Sequence, residues 1–395
     1  MPVRGVKLSS ISAKLRYSGR PDLVLIACDE DASVSSVYTL NRYAAAPIIV
    51  AKQNQAAGKT RALIINAGQA NAGTGKPGIQ VAQTVCEYTA RELGCQSTQV
   101  LPFSTGVIGN APSVEKIEAH LSGLVAGLDE DNWNAAAHGI MTTDTIAKGA
   151  SQSFEIEGTK VTVTGIVKGS GMIHPNMATL LSFSATDASI DQALLGEMWT
   201  EVVAHTFNRI SVDGDTSTND AAVIIASGKA GNKPINTPED KGYLELKKAL
   251  TSVCSTLAQA VIRDAEGATK FVSIVVKGGK SEEDCLAIAF TIAHSPLVKT
   301  ALFASDPNWG RILAAVGRAP VGELDIDSVD LFLDEVCVAK GGAIDPGYTE
   351  EQGQAVMDRE EIQIRVDLNA GTSEVTVWTS DLSHEYIKIN AEYRS

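Results

Sequence analysis

The stretch Lys168-Gly-Ser-Gly-Met-Ile-His-Pro-Asn-Met-Ala-Thr179-Leu-Leu-Ser-Phe-Ser-Ala-Thr186 places one Thr where flexible, Pro-interrupted backbone meets the start of a strand. Gly169 and Gly171 allow conformations closed to other residues, and Pro175 fixes its own φ while pushing His174 toward extended geometry. Beyond the junction, Leu181, Phe183 and Ala185 alternate with Ser182, Ser184 and Thr186, the period of a half-buried strand headed by Thr179. Two readings are open from these letters. In one, a Gly-rich turn simply leads into a strand. In the other, the Thr179 hydroxyl attacks the Ala178 carbonyl, an N-to-O acyl shift and hydrolysis cut the chain, and the new α-amine, titrating near ~8, serves as base for the same hydroxyl.

Working outward, Val161 to Val167 alternates with Thr and enters the segment as a strand, and Leu23 to Ala27 and Ala62 to Ile65 read as short buried strands. A helix follows Ser113, with Ile117, Leu121 and Leu124 on one face. Ser189 is expected to cap a second helix, lined by Leu195, Trp199, Val202 and Val203. A longer helix is expected from Thr237, with Pro238 at its first position, Asp240 three residues after the cap, and Gly267 as its stop. Ile362 to Leu368 and Val375 to Val377 read as a hairpin across an Asn369-Ala-Gly-Thr-Ser turn, and Gly341 to Gln354 as an exposed acidic loop. The mixture is α+β, without repeated βαβ spacing.

The 395 residues carry a formal net charge of −14, which excludes the basic field a nucleic-acid or anionic-membrane binder needs. No apolar run approaches the length of a membrane span. Six scattered Cys without a CxxC pair suggest neither a zinc site nor a disulfide framework, in keeping with the cytoplasm. The first twenty residues are basic, as in a presequence, but recognisable text already begins near Gly5. A small-molecule partner is expected, and an anionic substrate would need a local cation.

The Lys168–Leu181 segment closely resembles the cleavage site of the ornithine acetyltransferase (glutamate N-acetyltransferase) family of arginine biosynthesis. Six further stretches agree in order: Ser104 to Gly109, Thr142 to Thr145, Asn208 to Asp220, Glu266 to Lys270, Asp306 to Arg311 and Ile389 to Ser395. The resemblance implies a layered αββα sandwich of N-terminal-nucleophile-like type, which periodicity alone does not choose from other α+β folds. It implies a cut between Ala178 and Thr179, giving fragments 1–178 and 179–395 that share one interleaved body and assemble as two copies of each. It also implies ping-pong transfer of acetyl from N2-acetylornithine through Thr179 to glutamate, with no cofactor and no metal; acetyl-CoA as a second donor is left open. An N-terminal-nucleophile amidohydrolase or aminopeptidase, and an uncut ligand-binding protein, are the rivals.

The same resemblance assigns Thr105 and Gly106 to an oxyanion hole, though Ser104-Thr-Gly alone reads as a turn. Lys168, Thr145, Glu266, Asn390 and Ser395, with Thr179 itself, match substrate contacts. Lys168 would hold an α-carboxylate and Glu266 an ammonium of ornithine, although from sequence each also reads as a solvated charge. Gly73-Thr-Gly-Lys76 lacks the spacing of a phosphate loop. Asp213, Asp215 and Asp220 lack that of an EF-hand and read as a hydrogen-bonded loop. His174, close to Thr179, is a less favoured base than the α-amine.

Overall fold

The computed structural model describes residues 1–174 and 180–392, in two compact units. The first comprises residues 1–169, 175–208 and 216–261, and the second residues 170–174, 209–215 and 262–395.

Two sheets build the first unit. One has four strands in the order Val6–Ile11, Leu23–Cys28, Ala62–Gln69, Val100–Val107. The other has five, in the order Ser33–Tyr38, Ala221–Ala226, Leu181–Thr186, Thr159–Lys168, Lys148–Ile156. Their inner faces pack together through Leu63, Ile65, Ile166 and Val223, and Phe103 meets Phe183 edge to face with ring centroids 5.3 Å apart. Helices Gly75–Leu93 and Val114–Ala126 cover the outer face of the four-stranded sheet, where Val85, Leu121 and Leu124 join Leu23, Leu25 and Ile64. Helix Gln192–His205 covers the other outer face and ties to it by Trp199 Nε1, which donates to Ala222 O at 2.9 Å. The layers are therefore α, β, β, α, as the resemblance implies.

Several local readings are corrected. The 181–186 strand is buried on both faces and not on one. Its small Ser184 side and Gly165 of the neighbouring strand let Leu257 and Cys254 of helix Tyr243–Arg263 close over them. That helix begins at Tyr243 and not near Thr237, because the Asp240 carboxylate accepts the N–H of Asn236 and of Thr237 in a separate turn, and Gly242 at φ +95° interrupts it. It ends at Arg263, ahead of Gly267. The cap of the preceding helix is Asp191 and not Ser189, since its carboxylate takes both Ala193 N and Leu194 N.

The second unit is a seven-stranded sheet in the order Ala343–Ile344, Val336–Lys340, Asp330–Leu333, Glu361–Asp367, Phe271–Gly279, Ser373–Ser380, Ile210–Ser211. The expected 362–377 hairpin does not form. Phe271–Gly279 lies between its two strands, parallel to the first and antiparallel to the second. Leu368 and Ala370 donate to Lys277 O and Gly278 O, so the connection wraps the end of that central strand. Alternation alone could not show it, because a strand as apolar as Val272-Ile274-Val276 satisfies both neighbours. Residues 341–354 are less irregular than expected: they hold the Ala343–Ile344 strand and, with Thr349 in a capping box with Gln352, the start of helix Glu350–Met357. Helix Glu282–Ala293 packs on this sheet through Cys285, Ile288 and Ile292.

No single helix among the described residues is long and apolar enough to cross a membrane. All six cysteines are free thiols.

Candidate active site

Thr179, Ala178 and Ser395 lie outside the described residues. The other expected residues fall into two groups, one in each unit.

In the first unit, Thr105 and Gly106 sit near the end of the Val100–Val107 strand, where its parallel pairing with Ala62–Gln69 shifts register at Gly68/Gln69. Gly106 has φ +123°, and a Cβ there would run into the backbone of Gly68. Only glycine fits this bulge, and it is the bulge that interrupts the ladder at the expected N–H donor. Thr105 is buried. Asn219 holds this strand end from outside the strand pair: its Nδ2 donates to Ser104 O at 2.9 Å and to Ala70 O at 2.6 Å, and its Oδ1 accepts from Thr218 Oγ1. Ser104 Oγ in turn donates to Asn66 Oδ1 at 2.5 Å. Sequence reading gave Asn219 no role, since Asn in a run of Thr, Ser, Asp and Gly looks like a solvated turn.

Lys168 ends its strand opposite Leu181, two residues past Thr179 in sequence. It is half-buried and acts electrostatically on two buried acids, Asp144 and Asp220. Asp144 organises the Thr142–Thr145 loop: it accepts from Lys148 Nζ at 2.7 Å, from Thr142 N and from Gly169 N. Burial raises its pKa, but Lys168, Lys148 and these hydrogen bonds prevail and hold it at about 2. Thr145 is exposed beside it. The Gly169 bond matters because it pins the first residue of the junction segment.

In the second unit, Glu266 lies in the turn past Arg263 and is buried, not solvated. Asn390 Nδ2 donates to Glu266 Oε2 at 2.8 Å and to Tyr386 O at 3.0 Å, so these two expected residues meet directly. Glu266 N donates to Ser170 O, and a Cβ on Gly171 would collide with all three atoms of the Glu266 carboxyl group. The Gly of the junction segment thus makes room for the carboxylate. Asp213 fastens the next two residues, accepting from Met172 N at 2.7 Å and Ile173 N at 2.9 Å, and from Tyr386 Oη at 3.1 Å. Burial, then Asp213 itself, pushes the Tyr386 phenol pKa up. The hydrogen-bonded-loop reading holds for Asp213, and no group of metal-ligating side chains occurs among the described residues. His174 packs against Phe290 and His294, with ring centroids 5.0 and 4.4 Å away. Burial lowers its pKa more than Asp213 and Asp215 raise it.

A family model described as the ArgJ family matches residues 7–395. Over 394 residues the chain is 52% identical to the arginine biosynthesis bifunctional protein ArgJ of Pseudomonas fluorescens (strain Pf0-1), covering 100% of this chain and 97% of the relative. The protein of that name from Pseudomonas syringae pv. tomato (strain ATCC BAA-871 / DC3000) is also 52% identical, with the same coverage. Among solved structures, the arginine biosynthesis bifunctional protein ArgJ of Bacillus halodurans is similar at a TM-score of 0.50 and 37% identity, over 52% of this chain and 95% of that one.

Proposed function

The chain belongs to the ArgJ family, and on that footing we propose that it moves the acetyl group of N2-acetylornithine to glutamate through an acetyl ester on Thr179, freed by self-cleavage after Ala178. It is an acyltransferase of arginine biosynthesis. The observation that carries the substrate reading is the buried Glu266 carboxylate joined to Asn390. A buried acid with a neutral amide partner has capacity left for a cation, and the ammonium of ornithine supplies one. Lys168 pairs with the substrate α-carboxylate, and Thr145 and Ser395 complete the contacts. The Thr105 hydroxyl and Gly106 N–H hold the carbonyl oxygen as it becomes an oxyanion, a term of ~3 to 4 kcal/mol per donor. The α-amine of Thr179 takes the hydroxyl proton as the ester forms and returns it to the departing ornithine nitrogen.

Cleavage is supported by the Bacillus halodurans chain, which is matched over 95% of its length by about half of this one. It is thus about half as long, as a fragment of a cut enzyme would be. The relatives' designation as bifunctional favours a second donor, and we assign acetyl-CoA to it. The enzyme works in the cytoplasm as an assembly of two copies of each fragment. The test is incubation with N2-acetylornithine and glutamate. Free ornithine and N-acetylglutamate should appear together, and the peptide beginning at Thr179 should carry acetyl when glutamate is withheld. Free acetate without N-acetylglutamate would make the protein a hydrolase.

A further inference from the structure

Residues 32–86 serve the acyl-transfer scheme only as scaffold, yet their charge sets them apart. In a chain of net charge −14 this stretch holds no Asp or Glu, while it carries Arg42, Lys52, Lys59, Arg61 and Lys76. Lys59 and Arg61 pair with Asp31 and Glu30, just ahead of it. Arg42, Lys52 and Lys76 are exposed and make no ion pair among the described residues. All three border one cavity of about 310 Å³ in the first unit. Arg42 precedes Tyr43 in its wall. Lys52 follows Ile49 by three residues on helix Ala46–Ala57, and Lys76 precedes Ile79 by three on helix Gly75–Leu93, the spacing that sets side chains on one helix face.

The cavity has two further properties. Ala44, Ile49 and Ile79 make part of its wall apolar, and Tyr43, 63% exposed, offers an aromatic ring at its edge. Gly75 brings to it the start of helix Gly75–Leu93, whose first turn has no acidic residue and no side-chain cap, because the Thr74 hydroxyl donates to Asn71 Oδ1 instead. The cavity also adjoins the expected oxyanion hole. Gly109 N donates to Ala72 O at 2.8 Å and Ala70 N to Val107 O at 3.0 Å, so the Gly73–Gly75 wall is bonded to the chain that leaves Thr105 and Gly106. Residues 101–114 there are again free of acids.

We propose that this cavity binds the coenzyme A part of acetyl-CoA, the donor assigned above, on which assignment the inference rests. Ornithine, glutamate and their acetyl derivatives need neither an apolar cavity nor three outlying cations. Coenzyme A has the matching parts: phosphate groups for Arg42, Lys52 and Lys76, an adenine to stack on Tyr43, and a pantetheine arm to run along Ala44, Ile49 and Ile79 toward the oxyanion hole. Most of so acidic a protein repels such a polyanion, and a local cationic patch draws it to one face.

The test compares the wild type with the double variant Arg42→Glu/Lys76→Glu, two exposed positions, by titration with coenzyme A and by initial rates of glutamate acetylation from acetyl-CoA or from N2-acetylornithine. The variant should raise the Kd for coenzyme A and the KM for acetyl-CoA about 10-fold, with the KM for N2-acetylornithine and the Tm at their wild-type values. Added salt should narrow the gap between the two proteins. S-acetylpantetheine, which lacks the phosphates, should serve both equally. An unchanged KM for acetyl-CoA in the variant, or an equal loss with N2-acetylornithine, overturns the placement of the site while leaving the second donor in place. A wild type that transfers acetyl from N2-acetylornithine but neither binds coenzyme A nor uses acetyl-CoA overturns the second-donor reading and this inference with it.

Discussion

Gly171→Ala tests whether the junction segment shapes the substrate site. Gly171 is not at a positive φ, so alanine meets no backbone penalty there; the consequence is steric. The new methyl occupies the space of the Glu266 carboxyl group, which is itself held by Asn390 at 2.8 Å. The carboxylate must swing away, because Ser170 and Glu266 are joined through the backbone and cannot separate freely. A hydrogen bond to a charged group is worth ~1.5 to 3 kcal/mol, and overpacking costs ~1 to 3 kcal/mol. At ~1.4 kcal/mol per tenfold, losing the carboxylate from the site should weaken ornithine binding by about 10- to 150-fold. Calorimetric titration of the purified protein with ornithine measures the first effect and a thermal melt the second. Glu266→Gln should weaken binding similarly, and the double variant should be little worse than either single one, since both act through one carboxylate. Unchanged ornithine affinity in Gly171→Ala, or fully additive losses, would refute the reasoning.

Thr179→Ala should leave one uncut, inactive chain, whereas the wild type should yield a fragment whose N-terminal sequence is Thr-Leu-Leu-Ser-Phe; finding only the starting N-terminus in the wild type would count against cleavage. Asn219→Ala strips the donor from Ser104 O and Ala70 O and should cost roughly 1 to 3 kcal/mol per orphaned carbonyl in a denaturant melt, with a larger drop in kcat than in substrate affinity. For Asp144, whose folded pKa is depressed to about 2, the stabilisation is present above the unfolded value near ~4 and lost as pH falls toward ~2. Asp144→Asn should therefore be ~2 to 5 kcal/mol less stable at neutral pH, the upper end reflecting Lys148 left buried without its carboxylate, and the gap should narrow across that acid window. The two fragments should co-elute on native size exclusion and separate only in denaturant; a free 1–178 piece would show otherwise.

Much of the scaffold was legible. Strands such as Leu23–Cys28 and Thr159–Lys168, and the Ser113-capped helix, carry local patterns that tertiary contacts reinforce. The misreadings have a common cause. Asp240 and Thr237 spell a helix start, yet the carboxylate spends its acceptors on a turn, and nothing in the letters says which of the two competing arrangements wins. Strand order is likewise invisible, since Glu361–Asp367 and Ser373–Ser380 look like mutual partners until Phe271–Gly279, nearly a hundred residues earlier, is inserted between them. Of the site, the resemblance supplied Glu266 and Asn390, but the groups that hold the site did not stand out. Asn219 and Asp144 are polar residues in loops, where a buried, hydrogen-bonded side chain and a solvated one have the same sequence signature, and Asp213, though read as part of a hydrogen-bonded loop, gave no sign that Met172 and Ile173 are its partners.

The strand order also bears on why a cut chain would stay together. In the five-stranded sheet, Leu181–Thr186 and Ala221–Ala226 both follow residue 178, and they lie side by side at the centre of the order. Their neighbours, Ser33–Tyr38 on one side and Thr159–Lys168 on the other, both precede it. A fragment beginning at Thr179 is therefore gripped by ladders on both sides. It is gripped from the face as well, since Phe183 packs on Phe103 and Val223 joins Leu63 and Ile65 in the same core. Each such side chain contributes ~1.5 to 3 kcal/mol when fully buried. Removing the peptide bond at 178 takes away one covalent link and none of these contacts, so the chain end it releases can become a nucleophile without the fold paying for the break.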